Sequence, residues 1–266
     1  MQAQDYVTIN KHSWNNRTEA HLKSAFYDVP GFLQGRSSLQ DIELKLLGDV
    51  KGKSILHLQC HFGQDTISLA RLGAYCTGVD LSDKAIASAK ALALQANKEV
   101  RFVCCNIYEL PQHLDETFDI VFTSYGTISW LPDLQEWGKL INRYLKPGGE
   151  FIFAEFHPVV WMFDDQFDKI GYSYFNDAPI IETESGTYAD REAAISQEYI
   201  TWNHSLEDVI MALLNNNLAL QDFSEYDYSP QNCFLHAVEE EPGRYRISKL
   251  GKRIPMVYAL KAVKSA

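Results

Sequence analysis

Between Ser54 and Phe156 short apolar runs alternate with helical patterns, and few folds accommodate that alternation. The runs are Ser54–Leu58, Ala74–Leu81, Val100–Cys105, Phe118–Thr123 and Glu150–Phe156. Gln64–Leu72 reads as a helix that stops at Gly73. Ser82 reads as the cap of a second helix, in which Ile86, Ala89, Ala93 and Ala96 make a narrow apolar stripe. A third has Pro132 in its first turn and reaches Leu145, after which Lys146-Pro-Gly-Gly149 turns the chain into the fifth run. Strands that are apolar throughout and separated by helices belong to a parallel sheet covered on both faces, with right-handed crossovers. The expected class is α/β, a doubly wound sheet whose ligands bind beyond the C-terminal ends of the strands. Chemistry is to be sought at the strand tips.

The flanks read differently. Residues 10–50 look like a helical lead-in, with Ser38-Leu-Gln-Asp41 as a capping box and Leu39, Ile42, Leu46 and Leu47 on one face. After Phe156 the segment 159–202 is dense in aromatic residues, and Ser185-Gly186 reads as a turn between two extended pieces. Ser205-Leu-Glu-Asp208 starts another helix, continued by Val209, Ile210, Leu213 and Leu214 and ended by Asn215-Asn-Asn217. Leu218–Tyr226 and Ile254–Val263 read as two further strands.

Charge and cysteine usage exclude several functions. The net charge is −11, with 35 acidic against 24 basic residues. A non-specific grip on phosphate backbones needs clustered Lys and Arg; no such run appears, so no nucleic-acid partner is expected. No apolar run approaches the ~20 residues of a membrane span. The N-terminal stretch lacks a basic region followed by an apolar one, so a cytoplasmic location is expected. Five cysteines, one pair adjacent, do not make a disulfide framework. Cys60, Cys76 and Cys104 fall in apolar runs and are expected to be buried, reduced thiols. His57 and His61 are four apart, but that spacing faces a metal only on a helix, so no metal site is expected.

Three features weigh together. The first is the strand–loop–helix at 54–72, with Gly63 in the loop. The second is Asp80, ending the next run, where an acidic side chain can accept from both hydroxyls of a ribose. The third is Asn106, after the third run, placed to meet the amine of an adenine. Together they describe an adenosine site. A dinucleotide needs loop glycines so that its pyrophosphate can approach the backbone. Gln59 and His61 stand where two of those glycines would be. S-adenosylmethionine carries no phosphate and tolerates a loop with fewer glycines.

At these residues the chain resembles the class I S-adenosylmethionine-dependent methyltransferases. The matching segments are Ile55-Leu-His-Leu-Gln-Cys-His-Phe-Gly63, Thr77-Gly-Val-Asp-Leu-Ser82, Phe118-Asp-Ile-Val-Phe122 and Leu145-Lys-Pro-Gly-Gly149. The wording of the first resembles a bacterial subgroup that acts on small molecules. The resemblance implies a Rossmann-like sheet of seven strands, the last antiparallel. It implies a helical cover at 1–50 and a methyltransferase domain at 51–266, with 159–202 as a lid-like insertion. The implied cofactor is S-adenosyl-L-methionine, held by Gln59, Cys60, His61, Gly63, Gln64 and Asp65, with Asp80 and Leu81 at the ribose. Asn106 and Ile107 would bracket the adenine, and Ser124 and Tyr125 would line the methyl-donor side. The family's acidic residue in the first strand is His57 here, and its first two loop glycines are Gln59 and His61.

Each assignment has a structural alternative. Gly63 serves a turn, Asp80 a helix N-terminus, Asn106 a turn. His157, after the fifth run, would suit a general base, yet a histidine bonded to nearby backbone is the reading the sequence favours. Trp14, Tyr27 and Trp130 are candidates for the substrate pocket, or else core. The expected function is methyl transfer to a small-molecule acceptor by a monomer or homodimer. Two rivals stand: a binding module that holds the same ligand without turnover, and an NAD-dependent oxidoreductase, which predicts the loop glycines that are missing.

Overall fold

The structure is a computed structural model that describes residues 3–265. In chain order its helices are α1 (Ala3–Lys23), α2 (Val29–Leu33), α3 (Asp41–Leu47), α4 (Gln64–Arg71), α5 (Asp83–Gln95), α6 (Leu134–Tyr144) and α7 (Leu206–Leu214). The strands are β1 (Ser54–Leu58), β2 (Tyr75–Asp80), β3 (Arg101–Cys104), β4 (Phe118–Ser124), β5 (Leu145–Phe156), β6 (Ile180–Ser185), β7 (Ser196–Thr201), β8 (Leu218–Tyr226), β9 (Ala237–Glu241), β10 (Arg244–Ile247) and β11 (Val257–Lys264).

Seven strands form one sheet in the order β3-β2-β1-β4-β5-β11-β8. The pairs from β3 to β5 are parallel, and β11 runs antiparallel to both β5 and β8. This is the expected doubly wound sheet with its last strand reversed. Alternate residues of a strand face opposite sides, and the central strands use both. Leu56, Leu58, Val121, Phe151 and Phe153 pack under α6 with Trp137 and Ile141. Ile55, Ile120, Phe122 and Ile152 pack under α3 with Leu46 and Leu47. Two apolar faces explain why the strands read as unbroken apolar runs.

Several boundaries differ from expectation for physical reasons. Pro132 lies before α6, not in its first turn: Asp133 is the cap, accepting from the amides of Gln135 and Glu136. The capping box before α3 is Gln40 with Glu43, two residues later than Ser38-Leu-Gln-Asp41. The Ser38 hydroxyl is 3.1 Å from that of Ser68, so it serves packing against α4. Cys104 is exposed and its neighbour Cys105 buried, because β3 is the sheet's edge; all five thiols are free. The β9–β10 hairpin was not expected.

The N-terminal helix carries the least anticipated feature. Its buried face is Asn10, Ser13, Arg17, Thr18 and His21, a polar stripe at helical spacing. The stripe is buried because its partners are polar. Asn10 exchanges two hydrogen bonds of 2.8 Å with the backbone of Ile200 in β7. Arg17 reaches Glu184 in β6 at 2.8 Å. On the sheet side, the Ser82 hydroxyl donates to Asn15 at 2.6 Å. The helix thus joins the tips of the main sheet to the β6–β7 hairpin. No helix among the described residues is long and apolar enough to cross a membrane.

Candidate active site

A cleft of about 1050 Å³ opens over the C-terminal tips of β1, β2 and β4, under α1 and the β6–β7 hairpin. That is where a doubly wound sheet places a ligand. All the residues expected to hold the cofactor line it: Gln59, Cys60, His61, Gly63, Gln64 and Asp65 from the first loop, then Asp80, Leu81, Asn106, Ile107, Ser124 and Tyr125. So do Trp14, Tyr27 and Trp130.

The loop after β1 keeps the shape that glycine would allow, although two of its residues are not glycine. Gln59, His61 and Gly63 have φ of 54°, 50° and 80°. The left-handed region costs a side-chain-bearing residue roughly 1–2 kcal/mol, and it persists only where surroundings fix it. Here the surroundings are visible. The Gln59 amide donates to the carbonyl of Thr127 at 2.8 Å. The His61 backbone N–H donates to Asp80 Oδ2 at 2.8 Å, and its ring nitrogen Nε2 lies 2.9 Å from Nδ1 of His21. Gly63 has a packing reason as well: a Cβ there would stand 2.8 Å from the Phe102 ring and 3.0 Å from Ala89.

Charge in the cleft is held by burial and by pairing. Burial raises the Asp80 carboxyl to about 6 against the pull of the backbone amides of Ser82, His61 and Leu81. Burial also raises Asp65, which accepts from the Ser124 hydroxyl at 3.2 Å. Behind Tyr125, whose hydroxyl donates at 2.7 Å, lies Glu43, fully buried and raised to about 8, first by burial and then by Asp65. His57 sits in β1 where the family has an acid; it bonds the Thr66 hydroxyl at 2.8 Å and burial lowers it to about 3. Asn106 caps a short 3-10 turn by accepting from the Tyr108 amide at 3.2 Å, while its side chain still borders the cleft.

The outer wall is aromatic. Trp14 packs edge-on to both His61 and Trp130 with ring centroids 5.1 Å apart, and Tyr27 packs on Phe62 at 4.7 Å. Arg17 stands among the rings of Trp14, Trp130 and Tyr199. Arg17, His21, Glu184 and Tyr199 were not expected from the sequence.

His157 corrects one expectation. It does not line the cleft. Its ring turns toward β8, where Nε2 lies 3.0 Å from Glu225, and its Nδ1 accepts from the Val159 amide at 3.2 Å. The histidine bonded to nearby backbone is what its surroundings describe, because the backbone at the end of β5 directs the ring away from the strand tips.

Comparison with known proteins agrees with this geometry. Residues 56–153 match the model of a family described as a methyltransferase domain. A ubiquinone biosynthesis O-methyltransferase of Idiomarina loihiensis is 27% identical over 137 residues, 50% of this chain and 56% of the relative. An uncharacterized methyltransferase of Synechocystis is 35% identical over 131 residues, 48% of this chain and 59% of the relative. The chain thus spans little more than half the length of these curated relatives. Among solved structures, a geranyl diphosphate C-methyltransferase from Streptomyces coelicolor superposes with a TM-score of 0.60 at 16% identity, over 98% of each chain. A putative S-adenosylmethionine-dependent methyltransferase from Listeria monocytogenes gives 0.58 at 21% identity, over 84% of this chain and 96% of the other. Residues 56–153 are therefore similar to a methyltransferase domain, and the fold is the one shared by these solved S-adenosylmethionine-dependent methyltransferases.

Proposed function

We propose that the protein transfers a methyl group from S-adenosylmethionine to a small-molecule acceptor. The observation that carries the reading is the loop Gln59–Gly63: its left-handed turns are held at 59, 61 and 63, and it is tied by the His61 amide to the carboxylate at the tip of β2. The residues fit the cofactor. Two buried polar atoms of this loop, Gln59 Oε1 and His61 Nδ1, have no partner among the described residues, and buried polar groups are normally satisfied. The side chains at 59 and 61 stand where a pyrophosphate would need bare backbone, which disfavours a dinucleotide.

In this reading Asp80 takes the ribose hydroxyls, Asn106 and Ile107 flank the adenine, and residues 59–65 with Ser124 and Tyr125 surround the amino-acid end. The cofactor when bound supplies a methyl carbon already activated by a sulfonium. The chain's own contribution is placement and exclusion of water. Trp14, Tyr27 and Trp130 form an apolar wall above the donor half, against which an acceptor would lie. Residues 159–202 supply the far side as a lid-like insertion, and the helices before residue 50 supply the cover. With His157 directed elsewhere, general-base catalysis by that residue is not part of the proposal.

The test is calorimetric titration with S-adenosylmethionine, S-adenosylhomocysteine and NAD, followed by a screen of small hydroxyl, amine and thiol acceptors for release of S-adenosylhomocysteine. Micromolar binding of both adenosyl-sulfur ligands with acceptor-dependent release is expected. Binding without release across the screen would favour a ligand-holding module, and binding of NAD alone would overturn the reading.

A further inference from the structure

The first loop position, where the family has a glycine, carries a side chain whose two ends are in different states. Gln59 Nε2 donates to the Thr127 carbonyl. A carbonyl accepts only, so this bond fixes which end of the amide is nitrogen. Oε1 is then an acceptor, shielded from solvent and without a partner among the described residues, on a residue that lines the cleft. Leaving such an atom unpaired is costly. It is met when a ligand brings an N–H or O–H.

The amide is aimed by a second layer. Thr127 belongs to the loop after β4, and that loop is gripped by one buried carboxylate, Glu155 near the end of β5. Glu155 accepts from the amides of Thr127 at 2.7 Å, Ile128 at 3.2 Å and Gly126, and from the Thr127 hydroxyl at 2.9 Å. The Phe156 amide adds a further bond at 2.7 Å. A carboxylate collecting this many donors holds its loop rigidly. The Thr127 carbonyl, and through it the Gln59 amide, is fixed before any ligand arrives.

We infer that Gln59 Oε1 is a side-chain receptor for the α-ammonium of the donor's amino-acid end, and that Glu155, acting through Thr127, is its positioning residue. The inference rests on the donor reading above. The side matters: His61 leans on Asp80 at the ribose position, whereas Gln59 leans on the β4 loop, at the opposite end of the site. A carbonyl oxygen meets an ammonium by a charge-assisted bond, and it gives no such welcome to a carboxylate. Gln59 therefore makes the site select ligands that keep a free amino group.

Calorimetry on the whole protein tests this with three probes: S-adenosylhomocysteine, its deaminated analogue, which keeps the carboxylate, and 5′-methylthioadenosine, which lacks the tail. Gln59→Gly suits the left-handed backbone and so retains the fold. It is expected to weaken S-adenosylhomocysteine by about tenfold or more and to leave the other two unchanged. Glu155→Gln, which presents an N–H₂ to amides that already donate, is expected to shift the same ligand in the same direction. The double variant should add little to either single change. Equal weakening of all three probes by Gln59→Gly, or no change in any, would overturn the receptor. So would a wild-type protein indifferent to the amino group. A wild-type protein that binds none of the probes fails earlier and overturns the donor reading itself.

Discussion

The backbone N–H of His61 donates to Oδ2 of Asp80 at 2.8 Å, joining the loop after β1 to the tip of β2. The other carboxylate oxygen accepts from the Ser82 amide, also at 2.8 Å. One side chain thus fixes the relative position of two loops that the adenosine half of a ligand would touch together. Each oxygen keeps a lone pair for a hydroxyl.

That double duty predicts a pH dependence. Burial raises the Asp80 carboxyl to about 6. Above that pH it is a pure acceptor; below it, one oxygen carries a proton and opposes either an amide or a ribose hydroxyl. The affinity for S-adenosylhomocysteine is expected to be constant above neutrality and to fall as the pH is lowered from about 7 to about 5. Asp80→Asn should bind at least about tenfold more weakly at neutral pH and lose the pH dependence. A wild-type affinity unchanged across that interval would show that the carboxylate does not hold the ligand.

Glu43 predicts a different pH effect, on stability. Its carboxyl is raised from the usual 4.5 to about 8 by burial and by Asp65. Because the folded value lies above the unfolded one, the protonated form stabilises the fold at low pH. That contribution declines as the pH rises from the unfolded value and is lost through about 8. Glu43→Gln keeps an acceptor for the Gln40 amide, now 2.6 Å away, and a group for the Tyr125 hydroxyl, but it cannot ionise. The wild-type melting temperature should fall between about pH 5 and pH 8 and level off above it, and the variant's should stay level, leaving the variant several degrees higher at pH 8 and above, at about 2–4 °C per kcal/mol. Parallel curves for the two proteins would show that Glu43 does not titrate in this range.

Gly63 distinguishes the glycine that the loop retains from the two positions where it has side chains. At 59 and 61 the side chains leave the loop for Thr127 and His21. At 63 a Cβ meets Phe102 and Ala89 inside a packed core, at a φ of 80°. Gly63→Ala therefore combines backbone strain with overpacking and is expected to cost about 2–4 kcal/mol in urea unfolding. A cost under about 1 kcal/mol would mean that Phe102 yields easily.

How much of this was legible in the sequence follows from which forces leave a pattern. Strands β1 and β8 carry the bounds expected of them, because their residues alternate or run apolar between clear stops. The β9–β10 hairpin is short and largely exposed, with Glu239, Glu240 and Glu241 in succession, so it lacks the apolar signal. Its turn, Pro242-Gly243, was the available clue. The start of α1 was missed because its buried stripe is polar, and periodicity was sought in apolar residues. At the site, the residues read from strand tips and family motifs all border one cleft. Those that were missed, Arg17, His21, Glu184 and Tyr199, come from α1 and the hairpin, whose contacts depend on tertiary placement far along the chain. A general base at His157, the reading the sequence set second, falls away for the complementary reason: sequence places a residue at a strand end but does not say which way the ring turns.

Arg17 yields the last prediction. Its guanidinium is almost fully buried, donates to the Ser13 hydroxyl at 2.5 Å and to Glu184 at 2.8 Å, and lies 5.4, 5.4 and 5.0 Å from the ring centroids of Trp14, Trp130 and Tyr199. A planar, weakly hydrated cation suits such a cage, and an ammonium does not. Removing one partner of a fully buried pair costs about 3–5 kcal/mol. Here Glu184 is still 34% exposed at its side chain, so solvent relieves part of the loss. Arg17→Ala is expected to lower stability by about 1–3 kcal/mol. The loss should be local: α1 would loosen from β6, and limited proteolysis should cut within residues 186–195, the loop of that hairpin, before any other site. Arg17→Lys should restore little of the stability. Full rescue by Lys would show that charge alone holds the cover to the hairpin, and that the aromatic cage adds nothing.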